Sequence, residues 1–500
     1  MYRIIIIGGG VAGLGAAYKV RRAAEAGHEV EFRLVEKADR LGGKLATDYV
    51  DDPETGGRFV IDGGSDSFLT QKTAIHRVAR LLGIFDDECP TLDENKKTLI
   101  VKNGRLVELP DGIMMFAPTK VLPMATTSLY SLPAKLRMAL DLLIPRKRLQ
   151  EGERNDETLE SFVVRRLGRE CLDRLAEPLV GGVNGSDPAL MSLAATYPNL
   201  LDMEQEHGSL IRGFLAQRKK VEEMKRTYPP KPGAKPRTFF TSFYEGLQYV
   251  TDRLADGAGR EFIQTGAGAA SIERTDSGGW RVALDGGETL EGDAVIIATE
   301  VWAAHDLMAT VDERVTELLG QIPSSSSATV PIAFRAQDCP FDQHWHGILS
   351  PRIENQPVTG VSLVSSKWPN RAPEGRVLLR AFVGGPHGEG ILGKSDEEIV
   401  QIVRDQLVAL VGVREGAEPV FARVYRWEQG MPQYTLGHLD RVDEIERLVD
   451  DLPGLALAGG GFRGVGVPNC LESGEQAVSK VLREWGITLD EDSVEEKRVY

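Results

Sequence analysis

Arg3-Ile4-Ile5-Ile6-Ile7-Gly8-Gly9-Gly10-Val11-Ala12-Gly13 is the stretch that decides the fold. The isoleucine run is β-branched throughout, as in a parallel strand buried on both faces. Glycines follow at once, and Val11–Ala26 then reads as a helix with small residues on its inner side. The glycines differ in what they do. Gly8 makes a tight turn, Gly10 lets a phosphate approach the backbone, and Gly13 lets helix and strand pack closely. The free N–H groups and dipole at the helix start favour an anion. A second strand, Glu31–Val35, ends at Glu36, about 20 residues on, where a carboxylate accepts ribose hydroxyls. The whole is a βαβ unit with a dinucleotide site. The alternative, a glycine-rich turn beside a surface glutamate, does not account for the strand before and the helix after.

Working outward, Lys37, Arg40, Gly42, Gly43 and Lys44 put two glycines and flanking cations just past the ribose position. A second cluster, Gly459-Gly460-Gly461-Phe462-Arg463-Gly464-Val465-Gly466-Val467-Pro468, lies between an apolar strand, Leu455–Ala458, and a helix from about Asn469. Two such turns at opposite ends of the chain suit one long cofactor touched at both ends, FAD. Gly460, Val465, Gly466 and Val467 then belong near the flavin ring, where a helix N-terminus stabilises charge on the reduced form.

Composition narrows the class. Five hundred residues, 42% hydrophobic and 27% charged, are an ordinary globular enzyme of two or three domains. A net charge of −15 argues against general nucleic-acid binding, and an acidic substrate would need a local basic pocket. Cys89, Cys171, Cys339 and Cys470 are scattered without a CxxC, so reduced thiols are expected, and neither disulfides nor a metal site. Ile4–Ile7 is too short for a signal segment, and no apolar stretch reaches the ~18 residues of a membrane span. A cytoplasmic protein is expected.

Along the chain, residues 74–218 read as mainly helical, with 119–149 helical but broken at Pro123, Pro133 and Pro145. Lys219–Arg237 reads as an exposed basic loop. Strands are expected at Trp280–Leu284, Asp293–Ala298, Gly360–Val364 and Val377–Val383. The segments assigned to the FAD-binding domain are 1–73, 219–300 and 431–489. Residues 74–218 form a helical domain contributing to the substrate pocket, 301–430 a substrate-binding sheet domain, and 490–500 a flexible tail. The fold class is α/β: a Rossmann-type domain assembled from discontinuous segments, with a mixed-sheet substrate domain and a helical domain.

Taken together, these residues resemble the amine oxidase superfamily, and within it the bacterial FAD-dependent coproporphyrinogen III and protoporphyrinogen oxidases. Gly64-Ser65-Asp66-Ser67-Phe68-Leu69 resembles that family's GPDSF segment near the flavin. Glu157–Gly168, Glu177-Pro178-Leu179 and Gly182–Asp187 resemble its RRLG…EPL…GIYAGD region. Ser365–Pro369, Trp427–Tyr434 and Gly437-His438 are similar to its C-terminal half. Gly64 departs from the usual proline, and Val183-Asn184 from the usual Ile-Tyr. The resemblance implies further cofactor contacts at Gly63, Gly64, Ser65, Asp66, Ala269 and Trp427, and a pocket wall at Val183.

It also implies hydride transfer from a porphyrinogen bridge carbon to the flavin, with oxygen as final acceptor, in haem biosynthesis. The hard chemistry is then the cofactor's, and no acid–base pair is assigned as catalytic. Cations for the substrate propionates are expected at Lys72 first, then Lys97, Arg352 and Lys367, although a solvated lysine is the plainer reading of Lys72 alone. His344-x-His346 lacks a third ligand and reads as two surface histidines, and His438 as part of a turn. The 119–149 region and the basic loop raise a transient contact with a membrane surface. With no broad apolar face in view, a solubilising loop is expected instead. A contact with a downstream haem-pathway enzyme and the oligomeric state stay open. So do three readings of the activity: coproporphyrinogen III before protoporphyrinogen IX, another amine oxidase or desaturase, and a non-catalytic dinucleotide-binding protein.

Overall fold

The computed structural model of the chain describes residues 1–150, 152, 154–227 and 238–489, with the side chains at 182–184 and 225 outside that description. In chain order, the elements that position the site are β1 (Tyr2–Ile7), α1 (Val11–Glu25), β2 (Val30–Val35), α2 (Val121–Thr126), α3 (Leu132–Ala139), α4 (Leu210–Thr227), β3 (Ile263–Gln264), β4 (Ala294–Ile297), α5 (His438–Asp450), β5 (Leu455–Leu457) and α6 (Val467–Glu484).

The isoleucine run lies at the centre of a five-stranded parallel sheet of order β3-β2-β1-β4-β5. Side chains alternate across a strand, so Ile4 and Ile6 enter the core under α1 and α6, whereas Ile5 and Ile7 face Trp280, Val282 and Val315 on the other side. The register matters most for function. Val35, Ile7, Ile297 and Leu457 form one row across four strands. The residues that follow them, Glu36, Gly8, Ala298 and Ala458, therefore leave the sheet side by side at its carboxyl edge, where open α/β sheets bind their ligands.

A second sheet runs in the order Phe421–Ala422, Ser324–Arg335, Arg376–Gly384, Val358–Leu363, Gly347–Leu349, Thr98–Lys102 and Arg105–Glu108, with Tyr425–Pro432 also paired to Ser324–Arg335. This corrects the reading of residues 74–218 as a helical unit. Thr98–Lys102 pairs with Gly347–Leu349, a partner so distant in sequence that no local pattern announces it.

The prolines also act differently from expectation. Pro123 lies inside α2, and Pro133 occupies the first turn of α3, where a missing N–H removes no helical bond. Nor is 219–227 a loop. α4 continues to Thr227 with Arg218–Glu222 and Lys219–Glu223 pairs one turn apart. Residues 228–237 of the expected loop and the expected tail at 490–500 lie outside the described residues.

Candidate functional site

Backbone contacts force the N-terminal turn. Gly8 has φ +108°, and a Cβ there would lie 2.6 Å from the Ala298 carbonyl oxygen. A Cβ at Gly13 would lie 1.9 Å from the Gly8 carbonyl. Gly10, the N-cap of α1, has no side chain to satisfy the first-turn amides. A Cβ built at Gly10 meets nothing within 4 Å, so these amides face open space. Glu36 stands beside them. Its two carboxylate oxygens accept the Gly9 amide at 2.6 Å and the Ala38 amide at 2.8 Å, leaving lone pairs for hydroxyl donors. Gly42 bridges to Gly10, and a Cβ at Gly43 would sit 3.2 Å from the Gly10 Cα.

The cations of this segment divide. Lys37 is exposed beside Gly268, and Ala269 lies two residues past Ala267, whose amide donates to the Glu36 carbonyl at 2.9 Å. Lys44 approaches Glu300 at 3.5 Å. Arg40, expected as a cofactor contact, is exposed. Its guanidinium donates to the carbonyls of Leu41 and Leu45 at 3.1 and 3.2 Å and to that of Gly43, and so ties its own loop.

The C-terminal turn meets the N-terminal one across Ala298–Glu300. Gly459 approaches Thr299, and a Cβ at Gly461 would lie 2.0 Å from Val301 Cγ2. Gly466 caps α6 without a side chain, just as Gly10 caps α1. Half-buried Val465 and buried Val467 flank that cap. The two helices pack at glycines: a Cβ at Gly474 would sit 1.9 Å from the Ala12 carbonyl, and one at Gly15 2.4 Å from Leu471. Two uncapped, electropositive helix starts thus share one sheet edge.

A residue pair to which the sequence assigned no role at the cofactor site holds this turn. The Tyr434 hydroxyl donates to the Gly460 carbonyl at 2.7 Å and accepts the Gly464 amide at 2.8 Å. His438, stacked on Tyr434 at 3.9 Å between ring centroids, donates from Nε2 to the Phe462 carbonyl at 2.7 Å. His438, expected as part of a turn, is wholly buried and anchors the glycine loop. Beside Tyr434 is a cavity of about 200 Å³ lined by Asp187, Met191, Ser325, Glu389 and Gln433 among others.

A third wall comes from Gly63–Asp66. A Cβ at Gly64 would lie 1.8 Å from the Lys44 carbonyl and 3.1 Å from the Trp427 ring, and one at Gly63 2.4 Å from Tyr425. Trp427 Nε1 donates to the Gly63 carbonyl at 3.1 Å. That close approach requires glycine at both positions. Ser65 is exposed next to it. Asp66 turns away. Its buried carboxylate meets Lys367 at 3.0 Å and Trp368 Nε1 at 3.2 Å, with Arg380 at 3.9 Å. Burial alone would raise this carboxyl; Lys367 and Arg380 outweigh it and hold it well below the usual carboxylate range. Asp66 and Lys367 are consumed by each other, which corrects both the cofactor role of that carboxylate and the substrate role of that lysine. Lys367→Met should lower stability by about 2 kcal/mol, less than a fully orphaned buried charge because Arg380, Ser67 and Trp368 remain. Urea denaturation checks it, and an unchanged midpoint refutes the pairing.

Of the other substrate candidates, Lys72 is exposed in the turn after Leu69, and Lys97 is exposed 4.0 Å from Glu108. Arg352 is exposed, with its amide donating to Glu177 at 3.0 Å. Burial raises the Glu177 carboxyl. Val183 falls in the helix Glu177–Asn184, with its side chain outside the described residues. His344 is exposed against Asp342, but His346 is half-buried and bonds the Leu92 carbonyl at 2.8 Å, unlike a surface residue.

A parallel sheet with two glycine-capped helix starts and a ribose-type carboxylate at its edge defines a dinucleotide-binding oxidoreductase. Kinship carries this further: the chain belongs to the flavin containing amine oxidoreductase family, which it matches over residues 11–482, and its cofactor is a flavin. It is 32% identical to the coproporphyrinogen III oxidase of Bacillus subtilis (strain 168) over 96% of this chain and 97% of that one. It is 26% identical to the chloroplastic protoporphyrinogen oxidase of Nicotiana tabacum over 95% and 85%. A crystal structure of a protein from Exiguobacterium sp. 255-15 superposes with a TM-score of 0.82 at 29% identity, covering 97% and 99% of the two chains. The residues fit a flavin dinucleotide: the amides at Gly10 are uncapped, the space before them is open, and Glu36 keeps acceptor capacity.

Proposed function

We propose that this enzyme oxidises coproporphyrinogen III to coproporphyrin III, with FAD as its flavin and oxygen as final acceptor. The observation that carries the reading is kinship along nearly the whole chain with the Bacillus subtilis coproporphyrinogen III oxidase, on a structure whose two glycine turns converge. Gly8, Gly10, Val11, Ala12 and Gly13 present amides to the pyrophosphate, and Glu36 accepts the ribose hydroxyls, flanked by Lys37 and Ala269. Gly42, Gly43, Lys44, Gly63, Gly64, Ser65 and Trp427 wall one side of the ring position. Gly460, Val465, Gly466 and Val467 bring the start of α6 to it. FAD bound there would accept a hydride from a bridge carbon while a pyrrole N–H loses a proton; oxygen would take the two electrons with both hydrogens as hydrogen peroxide, and three such rounds would complete the porphyrin.

The chain's own contribution is positioning. The helical region and the eight-stranded sheet form the substrate side, and Lys72, Lys97 and Arg352 take the propionates, supplying locally the positive charge that an overall net charge of −15 denies elsewhere. Holding a bridge carbon at reacting distance removes most of the entropic barrier, which suits a site without an acid–base dyad. The test offers the purified yellow protein each porphyrinogen without oxygen. Flavin bleaching at least about tenfold faster with coproporphyrinogen III than with protoporphyrinogen IX is expected. The reverse preference makes it a protoporphyrinogen oxidase, and bleaching with neither ends the reading.

A further inference from the structure

The cavity beside Tyr434 has no part in holding the dinucleotide or the propionates. Its bottom is buried, at Ser186, Met191, Ser325 and Tyr434, and its rim opens at Leu190, 59% exposed, and at exposed Glu389. Two observations tie the bottom to the position of the flavin ring. Tyr434 closes it with the same side chain whose hydroxyl holds Gly460 and Gly464. Ser325, Ser327 and Thr329 also alternate onto one face of the strand Ser324–Arg335. Ser325 lines the cavity, Ser327 is paired with Trp427, and Thr329 donates to the Gly63 carbonyl. Four residues of strand at ~3.3 Å each place the cavity wall about 13 Å from the wall of the ring, along a track of small hydroxyls.

Size and lining choose what passes. A volume of about 200 Å³ is below the roughly 300 Å³ of the smallest sites for drug-sized ligands, so a tetrapyrrole cannot enter. At about 30 Å³ for each molecule of water size, several small molecules can. The lining carries Asp187 and Glu389 and, among the described residues, no lysine or arginine, so a propionate is repelled as well. Oxygen and hydrogen peroxide are neutral and small. At each reoxidation one oxygen molecule takes two electrons and two hydrogens from the reduced flavin, and one hydrogen peroxide leaves. A port of its own lets that exchange proceed with the macrocycle in place. The outer wall of the cavity is a loop. The chain turns off its strand at Gly384 and Gly385, with φ of +89° and +79°, and Pro386 and Glu389 then border the mouth. Two contacts pin this loop across it: His387 Nε2 meets an Asp187 carboxylate oxygen at 3.0 Å, and the Ser326 amide donates to Glu389 at 2.7 Å.

We infer that this cavity is the port by which oxygen reaches the reduced flavin and hydrogen peroxide leaves it, separate from the porphyrinogen pocket. The inference rests on the reading that oxygen is the final acceptor. Its test needs no porphyrinogen: the flavin of the holoenzyme is reduced photochemically, mixed with oxygenated buffer in a stopped flow, and followed by absorbance as its colour returns. Leu190→Trp at the exposed rim and Ser324→Phe at a half-buried lining position narrow the passage. Each should slow reoxidation about tenfold or more, while flavin content and the rate of photoreduction stay as in the parent. His387→Ala removes one pin from the mouth and should reoxidise at least as fast as the parent. Equal rates in the parent and both narrowed variants overturn the inference. So does slowing of the same size in His387→Ala, which would mean that disturbing the region, rather than blocking it, is responsible. A parent that oxygen fails to reoxidise overturns the acceptor and the port together. Slowing in the narrowed variants of a protein that neither porphyrinogen bleaches supports the port and removes only the substrate.

Discussion

Gly474→Ala is expected to destabilise the enzyme by about 3 kcal/mol and to weaken flavin binding about a hundredfold or more. In a solvent-exposed helix the same change stabilises by ~1 kcal/mol, because alanine loses less backbone freedom than glycine. The sign reverses here because the new Cβ would lie 1.9 Å from the Ala12 carbonyl oxygen. The obstacle is backbone, which has no rotamer to turn aside, so α6 must move away from α1. That displacement reaches the site directly. Ala12 lies in the first turn of α1 and Gly474 in the third turn of α6, and the two helix starts must aim at one dinucleotide. Urea unfolding gives the first number and flavin fluorescence titration of the apoprotein the second. Glu472→Ala, at a half-buried neighbour, serves as control and should stay within about 0.5 kcal/mol. A Gly474→Ala protein that is as yellow and as stable as its parent would show that the close helix crossing does not govern the site.

The first glycine turn was legible because its determinants are consecutive: strand, turn and helix are encoded within residues 3–26, and Glu36 closes the unit. The second turn was legible for the same local reason. What joins them was not. The row Val35–Ile7–Ile297–Leu457 depends on strands hundreds of residues apart, and pattern reading supplies no register between them. Lys367 and Asp66 looked like two site residues because each sits in a family-like segment. Only their 3.0 Å contact shows that they neutralise each other. Arg40 was read as a cofactor cation, and the structure adds that its guanidinium also donates to carbonyls of its own loop. Residues 119–149 were expected to carry no broad apolar face, because leucine spacing alone does not say which side of a helix is packed. The outward face of Leu132, Leu136, Leu140 and Leu143, all exposed, follows from Asp141, which is held inside by Arg166, a partner in a different helix. Tyr434 and His438 lie in family-like segments that do not reveal their role, which comes from carbonyls and an amide in the loop between Gly460 and Gly464.

That pair leads to a pH dependence with a definite sign. His438 donates from Nε2 to Phe462, and its Nδ1 is buried with no hydrogen-bond partner. A proton on Nδ1 would place a charged N–H where nothing accepts it. Burial accordingly pushes its pKa down to about 4, with Arg441 and Arg463 acting in the same direction and the Phe462 carbonyl and Asp156 opposing. In the unfolded chain the imidazole returns to its ordinary value of 6.5. Between those values the unfolded state takes up a proton that the native state refuses, so stability falls as pH falls. The contribution is whole above pH 6.5 and is lost on approach to about 4, amounting to about 3 kcal/mol from this one group. Because Phe462 is the residue held, the glycine loop should loosen first, and flavin fluorescence should rise before the global unfolding signal across that interval. His438→Gln keeps a donor near the Nε2 position but has no proton to gain, so its stability profile should be flatter by about the same 3 kcal/mol. Superimposable profiles for parent and variant between pH 6.5 and 4 would mean that some other group governs acid release and that the histidine is only filler beneath the loop.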